Sequence, residues 1–360
     1  MKIVTIVGAR PQFIKAAAFS RALGKQQEEI IVHTGQHFDS NMSKIFFDEL
    51  KIPEPKYNLG ISGGSHGEMT GKMIAAIEAV LIEEKPDWVL LYGDTNSTMA
   101  GALAAVKLCI PITHVEAGCR GGRLTNPEEV NRVVTDRVAQ LLLVPTEIEL
   151  HNLEQENLAK NAHVVGNIMY DSYLYAKERN RDSVDFVMYD LNHRAITLPE
   201  QYYYLTCHRQ ENTDDKALFN ILYAMNQLEA PTIYPVHPRN RERVKKICNT
   251  EKLDHIILLE PLGYFESIKV LTDCKKVVTD SGGLQCEAFY EEKQCITILD
   301  FAPWPQTLVG NRNQLSRPET NEILRKLNSK MEIDKNYCPF GDGHAAEKII
   351  TYMVKYNEKA

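Results

Sequence analysis

The sequence predicts an α/β protein with two doubly wound parallel sheets, one in each half of the chain. Short apolar runs such as Lys2–Val7 are rich in β-branched residues, as strands buried in a parallel sheet are. A helical pattern follows most of these runs after a short polar turn, and this alternation is typical of a parallel sheet with helices on both faces. The alternation weakens between residues 182 and 201 and then restarts, which indicates two domains in a chain of 360 residues.

We expect residues 1–167 and a C-terminal helix at 345–360 to form the first domain, and residues 168–344 to form the second. The strands predicted for the first domain are 2–7, 30–34, 87–92, 111–115, 141–145 and 162–166. Its predicted helices are 13–23, 42–50, 68–83 and 98–108, and a further helix that starts near 126. The strands predicted for the second domain are 202–206, 232–236, 255–259, 277–279 and 295–298, and its helices are 216–228, 239–247, 264–271 and 283–291.

Composition excludes several classes of protein. The net charge is −7, which argues against a protein that binds nucleic acid or a membrane surface. No apolar run approaches the roughly 20 residues of a membrane-spanning helix, and the start of the chain lacks the layout of a signal peptide. The 8 cysteines are scattered without C-x-x-C spacing, which indicates neither a metal site nor a disulfide framework. We therefore expect a cytoplasmic protein without a bound metal.

Residues 276–287 predict a strand, a turn of small polar residues and the start of a helix. Asp280 or Ser281 can cap this helix, while Gly282 and Gly283 allow a ligand to approach the backbone closely. The free N–H groups and the positive end of the dipole at such a helix start attract phosphate. An ordinary strand-to-helix turn fits the same residues equally well.

The turn after the first strand does not predict a dinucleotide site. Gly8–Pro11 lacks the G-x-G-x-x-G pattern, and the next strand does not end in the acid that would hold a ribose. We therefore expect no NAD and no other cofactor. Arg10 and Lys15 follow this turn and suit an anion at the carboxyl edge of the sheet, although a solvated basic pair also fits them.

Polar residues cluster at the predicted carboxyl ends of the strands, where open parallel sheets bind their ligands. In the first half they are Arg10, Asp94, Glu116 and Glu128, and in the second they are His208, His237 and residues 281–287. With two such sheets we expect the ligand in a cleft between them. The pattern predicts a phosphorylated ligand that the second domain holds and the first handles chemically. Taken singly, the acids also fit helix caps or dipole partners, and the histidines fit hydrogen-bonded core positions.

Six motifs stand in a fixed order along nearly the whole chain. They are Gly8–Pro11 with Lys15, Gly93–Ser97, His114–Gly118, Pro127–Arg132, His208–Asn212 and Asp280–Glu287. Together they resemble the non-hydrolysing UDP-N-acetylglucosamine 2-epimerase family. The resemblance implies the GT-B fold, with two Rossmann-like domains facing a central cleft, and a homodimer.

The resemblance also implies a reaction. UDP leaves C1 of UDP-GlcNAc as the C2 proton is removed, which gives a 2-acetamidoglucal; re-addition on the other face yields UDP-ManNAc, a precursor of surface polysaccharide. Asp94, Glu116 and Glu128 match the catalytic carboxylates, and His208 matches a histidine beside the diphosphate. The positions that match UDP-sugar-binding residues are Arg10, Lys15, Arg132, His237, Tyr264, Ser281, Gly282, Gly283 and Glu287. Clustered acids separate one another's pKa values, so that one acts as an acid and another as a base.

The chain departs from the family pattern near the expected sugar pocket. Cys286 replaces an acid, and residues 299–307 replace a segment that usually carries basic groups, so that Trp304 adds an aromatic wall. A related branch that acts on UDP-2,3-diacetamido-glucuronate also has a Trp here, whereas Asp300 does not suit a uronate. The alternatives are therefore a 2-epimerase for such a modified sugar, a hydrolysing 2-epimerase that releases UDP and ManNAc, a retaining glycosyltransferase, and a non-catalytic nucleotide-sugar sensor.

A second nucleotide-sugar site is a further expectation from the resemblance. Some relatives bind a second substrate molecule as an activator, and Gln36, Arg209 and His237 match the residues involved. Asp39 stands where many relatives have Gln, so the sequence leaves activation open.

Overall fold

The computed structural model describes residues 1–25, 27–36, 47, 49–121, 124–181, 186–329 and 332–358. The chain forms two compact units, Met1–Leu174 with Pro339–Ala360, and Tyr175–Cys338. The change of unit falls inside the helix Ile168–Arg181, whereas the sequence places it before that helix. The predicted helix at 42–50 and the position of Asp39 fall mostly or wholly outside the described residues.

Within the described residues, the first unit has a parallel sheet of 7 strands. The strands are β1 Lys2–Val7, β2 Glu28–His33, β3 Tyr57–Asn58, β4 Trp88–Tyr92, β5 Ile112–Val115, β6 Leu141–Val144 and β7 Ala162–Val164. They lie in the order β3–β2–β1–β4–β5–β6–β7. The helices that accompany them are α1 Arg10–Ala22, α2 His66–Glu84, α3 Asn96–Lys107, α4 Pro127–Val138, α5 Glu147–Gln155 and α6 Ile168–Arg181.

The strand order reverses between β1 and β4, and this is the point at which doubly wound sheets bind ligands. Both strands are almost completely buried, as the unbroken apolar runs of the sequence predict. Their carboxyl ends lead into Gly8–Arg10 and Gly93–Thr95, so the first two motifs lie side by side at this edge. β5 pairs with β4 and brings Glu116, which follows it, to the same edge.

The second unit repeats this architecture with a parallel sheet of 6 strands among its described residues. After the short strands β8 Met188–Tyr189 and β9 Ala195–Ile196 come β10 Tyr203–Thr206, β11 Thr232–Pro235, β12 Ile256–Leu259, β13 Val277–Thr279, β14 Cys295–Thr297 and β15 Asn313–Leu315. The order β12–β11–β10–β13–β14–β15 reverses between β10 and β13. The helices are α7 Asp215–Asn226, α8 Arg241–Glu251, α9 Tyr264–Asp273, α10 Gly282–Tyr290 and α11 Thr320–Leu327. The predicted α/β fold with two parallel sheets is confirmed.

The structure corrects the predicted elements at the sheet edges. The strands β3 and β15 and the helix α11 are absent from the prediction, and β8 and β9 form an antiparallel pair in the segment expected to be a linker. β3 has 2 residues and β15 contains Asn and Gln, so neither shows a strand pattern by itself. Pairing with a neighbouring strand, rather than local propensity, makes such segments extended.

The C-terminal helix, α12 Ala345–Asn357, belongs to the first unit and packs against α1. Trp88 donates from Nε1 to Asn357 Oδ1 over 2.8 Å and contacts Tyr356 edge-on. The sequence predicts that this helix returns to the first half.

The start of α12 is capped from another helix. Its own N-cap residue, His344, makes no side-chain cap hydrogen bond. Asp171 of α6 instead accepts from the backbone nitrogens of Ala345 (3.1 Å) and Ala346 (2.8 Å). We expect Asp171→Ala to lower the free energy of unfolding by about 1–2 kcal/mol, as the loss of an N-cap does. Urea denaturation measures this loss, and His344→Ala, a surface change worth about 0.5 kcal/mol or less, is the control. Equal losses in the two variants would contradict the assignment of the cap to Asp171.

Candidate active site

Glu116 and Lys15 form a buried ion pair at the carboxyl edge of the first sheet. Their side chains are only 9% and 7% exposed, and Lys15 Nζ donates to Glu116 Oε2. The second carboxylate oxygen, Oε1, is buried without a hydrogen-bond partner among the described residues. Glu116 has a φ of 69°, a left-handed conformation that costs a residue other than glycine about 1–3 kcal/mol. A strained, buried acid with one free oxygen is suited to take or give a proton.

Asp94 lies beside this pair and is itself paired with a cation. A Cβ added at Gly93, whose φ is 63°, would lie 3.3 Å from both Glu116 Oε2 and Lys15 Nζ, so the turn that carries Asp94 touches them. Asp94 accepts from Nη2 of Arg132, and Nη1 of Arg132 donates to Glu129 over 2.9 Å. Thr95, rather than Asp94, caps α3 by accepting from Thr98 N. The Asp94 carboxylate is therefore not used as a helix cap.

A buried network beneath these acids ties their two turns together. His114 Nε2 donates to the carbonyl oxygen of Gly93 over 2.8 Å, and its Nδ1 lies 2.6 Å from Asp136 Oδ1. Asp136 Oδ2 accepts from Gly118 N at 3.0 Å and from Arg120 Nη1 at 2.7 Å. Both imidazole nitrogens therefore have a partner. Burial opposes the charge of Asp136, but His114 and Arg120 together hold its pKa below the usual value.

A pocket of about 310 Å³ opens beside Asp94 in the first unit. Most of its lining residues lie at the starts of α1 to α4, and Gln36 follows β2. The lining residues are Ala9, Pro11, Gln36, His66, Asp94, Thr95, Asn96, Asn126, Pro127, Glu128 and Asn131. Asn126 caps α4, which the sequence predicts to start near 126, and Glu128 in the first turn of that helix is exposed. Two of the three predicted catalytic carboxylates, Asp94 and Glu128, therefore line the same pocket.

In the second unit, the start of α10 has the form that the sequence predicts. Ser281 is the N-cap and accepts from Leu284 N over 3.3 Å. Gly282 and Gly283 begin the helix with partly exposed backbone. A Cβ added at Gly282 would lie 3.5 Å from Pro303 and 3.7 Å from Trp304 Nε1, so the aromatic wall predicted at 299–307 lies beside this helix start.

Asp280 is not the cap of α10 but a buried acid between two strand ends. Its Oδ2 accepts from the backbone nitrogens of His208 (2.9 Å) and Arg209 (2.8 Å). His208 Nδ1 lies 3.0 Å from Oδ1, and the His208 side chain is 43% exposed, so it is not a core histidine. Burial raises the pKa of Asp280, but the contact with His208 and the two N–H groups outweigh it and leave the pKa below its usual value.

The remaining predicted residues of this unit surround the same strand ends. The His237 ring stacks on His208 with 6.3 Å between centroids, and the Arg209 guanidinium lies 5.8 Å from the ring of Phe301. Glu287 and Tyr264 are buried, with 6% and 3% of each residue exposed, so only a small surface of each can reach a ligand. In the first unit, Arg10 is the first residue of α1, and Gln36 accepts from Ser97.

In the described part of the chain, no three His, Cys, Asp or Glu side chains come together in a way that suits a metal ion. The described helices include none that is both long and apolar enough to cross a bilayer.

Comparison with known proteins places this arrangement in a family. The family model of UDP-N-acetylglucosamine 2-epimerase matches residues 21–354. The chain belongs to the UDP-N-acetylglucosamine 2-epimerase family. The expected resemblance is thereby confirmed, and the protein is an epimerase by family.

Relatives of this epimerase carry two kinds of name. A UDP-N-acetylglucosamine 2-epimerase homolog from Methanococcus maripaludis is 45% identical over 98% of this chain and 99% of that protein. UDP-2,3-diacetamido-2,3-dideoxy-D-glucuronate 2-epimerase from Pseudomonas aeruginosa is 42% identical over 99% of this chain and 100% of that protein. The crystal structure of Methanocaldococcus jannaschii UDP-GlcNAc 2-epimerase in complex with UDP-GlcNAc and UDP matches with a TM-score of 0.83 at 37% identity, over 99% of this chain and 100% of that one.

Sequence reasoning about this epimerase overlooked the residues that hold its polar groups in place. Asp136 and Glu129 lie on the inner face of α4 and are 1% and 3% exposed, which an acid rarely is without a partner. The apolar residues of α4 give no signal of this burial, because Val130 is exposed while the buried residues of the helix are polar. The sequence predicts Asp280 only as a possible helix cap. The residues around His66 give no indication that it lines the pocket.

Proposed function

We propose that this epimerase inverts C2 of UDP-GlcNAc to give UDP-ManNAc by elimination of UDP and re-addition to a 2-acetamidoglucal. The observation that carries the proposal is the convergence of Glu116 and Asp94 at the reversal point of the first sheet, with Glu128 on the wall of the adjoining pocket. Removal of a weakly acidic C–H proton needs a positioned base, and protonation of the opposite face needs an acid. Clustered carboxylates supply both roles.

We assign the two units different parts of the reaction. In the first, one carboxylate takes the C2 proton, the electron pair forms the C1–C2 double bond, and the C1–O bond to UDP breaks. Arg10, Lys15 and Arg132 supply positive charge as the diphosphate departs. In the second, the helix start at Ser281, Gly282 and Gly283 holds the diphosphate. His208 donates to its oxygens, and the residues assigned to the rest of UDP are Glu287 for the ribose, Tyr264 for the uracil and His237.

The test is turnover of UDP-GlcNAc in D₂O, followed by proton NMR. The mechanism predicts deuterium at C2 of both recovered substrate and product, with UDP released only transiently. Turnover without deuterium at C2 would rule out proton abstraction. Accumulation of UDP and a free reducing sugar would indicate a hydrolysing 2-epimerase, and a requirement for an acceptor would indicate a glycosyltransferase. UDP binding without turnover would indicate a sensor.

A second candidate substrate is UDP-2,3-diacetamido-glucuronate. The 42% identity to the Pseudomonas aeruginosa enzyme and the position of Trp304 beside Gly282 favour it. The carboxylates on the wall of the pocket disfavour a uronate, because like charges repel. Parallel assays of the two UDP-sugars decide between them by kcat/KM.

We further propose that the protein is a cytoplasmic homodimer that supplies a precursor of surface polysaccharide, as the family resemblance implies. Gln36, Arg209 and His237 are the positions that we assign to a second, activating nucleotide-sugar. Light scattering after gel filtration measures the oligomeric state, and a sigmoidal dependence of rate on substrate would support activation.

A further inference from the structure

The two carboxylate oxygens of Asp280, in the second unit, differ in their hydrogen bonding. Asp280 is 0% exposed, and its Oδ2 accepts from His208 N and Arg209 N. Asn212 Nδ2 also donates to Oδ2, over 3.4 Å. Among the described residues Oδ1 has no hydrogen-bond partner, and His208 Nδ1 lies 3.0 Å from it, within ion-pair distance. A buried carboxylate oxygen without a donor is costly, so a hydrogen on Nδ1 stabilises this arrangement.

The contact decides which nitrogen of His208 is available. With the hydrogen on Nδ1 directed to Asp280, Nε2 is the nitrogen that remains for a ligand. The neighbouring His237 ring is stacked with His208, with an interplanar angle of 20° and 6.3 Å between the centroids.

The same residue joins this histidine to the start of α10. Asp280 directly precedes Ser281, the N-cap of that helix, and β10 and β13 are further linked by Thr206 and Thr279 hydroxyls 2.6 Å apart. His208 and the first N–H groups of α10 are therefore tied to one short segment, residues 279–281.

We propose that Asp280 is a positioning residue that keeps His208 protonated at Nδ1 and directs Nε2–H toward the departing diphosphate. This rests on the proposed function, in which negative charge develops on the diphosphate as the C1–O bond breaks. Asp280 itself touches neither substrate nor reacting atoms. Its effect passes entirely through His208, in the manner of an acid that orients a catalytic imidazole.

Asp280→Asn tests this role, because the amide has the shape of the acid without its charge. We expect kcat to fall by about 10²–10³-fold, the effect of removing one donor to a developing anion, with a KM change under about 3-fold. In a His208→Gln background the same substitution should change kcat by less than about 3-fold, because the two residues act as a unit. A similar loss in both backgrounds would show that Asp280 acts independently and would overturn the proposal.

A spectroscopic measurement keeps the proposal testable if the variant folds poorly. In wild-type protein with ¹⁵N-labelled histidine, with His208 assigned from His208→Gln, the imidazole spectrum should show a protonated Nδ1, and addition of UDP should shift the Nε2 resonance. A neutral ring protonated only at Nε2 would overturn the proposal. Neither result needs turnover, so a failure here differs from a failure of the proposed reaction, in which no UDP-sugar is epimerised.

The matched control is Asp214→Asn. Asp214 caps α7 in the same unit and also accepts from two backbone N–H groups, Lys216 N and Ala217 N, each at 2.9 Å. We expect this variant to keep the wild-type kcat, KM and histidine spectrum.

Discussion

Replacement of Glu116 by glutamine should lower kcat for UDP-sugar epimerisation by about 10²–10⁴-fold, the usual contribution of a general acid or base. Glutamine keeps the shape of the side chain but can neither take nor give a proton. KM should change little, because the substitution affects proton transfer more than binding of the nucleotide. The measurement is the initial rate of C2 inversion together with the rate of deuterium incorporation from D₂O, and both should fall by the same factor.

The matched control for this variant is Glu84→Gln. Glu84 is also buried and ion-paired, to Lys2 and Lys56, but it lies at the other end of the sheet, beside the amino end of β1. Both substitutions leave lysine charges without a partner, so both should lower the free energy of unfolding, by up to about 3–5 kcal/mol for a fully buried pair. Only Glu116→Gln should reduce kcat. A comparable loss of kcat in Glu84→Gln would mean that destabilisation, rather than lost proton transfer, explains the result.

Replacement of Asp136 by asparagine should lower the free energy of unfolding at pH 7 by about 3–5 kcal/mol, because it leaves the Arg120 guanidinium, 12% exposed, without its buried carboxylate and disturbs the contacts of that carboxylate with His114 and Gly118. Activity should fall as well, since Asp136 holds Gly118 directly and Gly93 through His114, and these turns carry Glu116 and Asp94. Urea denaturation at several pH values, with kcat measured in parallel, tests both effects.

The difference in the free energy of unfolding between wild type and Asp136→Asn should decrease as the pH falls. The folded pKa of Asp136 lies below its usual value, whereas an unfolded Asp titrates near about 3.9. The carboxylate therefore stabilises the fold fully above about pH 4, and this contribution is lost as the pH falls through the folded pKa. The gap between wild type and Asp136→Asn should narrow over that range.

Glu156→Gln provides the comparison for Asp136→Asn, because Glu156 pairs with the same arginine. It accepts from Arg120 Nε over 2.6 Å, but its side chain is 29% exposed. We expect a loss of about 1 kcal/mol or less, as for other pairs in contact with solvent. A loss as large as that of Asp136→Asn, or a difference that does not vary with pH, would contradict the role given to the buried network.

Much of the site could be predicted because its residues follow strands with clear local patterns. Asp94, Glu116, His208 and Ser281 each stand directly or nearly directly after a buried strand, and parallel strands end at one edge of a sheet. The short edge strands and the inward-facing acids of α4 could not be predicted in this way. Their conformation or burial depends on a neighbouring element that is distant in the sequence.

The sequence by itself determined most of the succession of strands and helices, the helix starts near 126 and 282, and the motifs that identify the family. These features depend on hydrophobic periodicity and on contacts within a few residues. Only the tertiary structure decided the partners: Lys15 for Glu116 across 101 positions, and Asp280 for the backbone of His208 across 72. The physical reason is that the partner of a buried charge depends on the order of the strands in the sheet and on which groups are removed from water. The residues adjacent to the charge in the sequence contain neither kind of information.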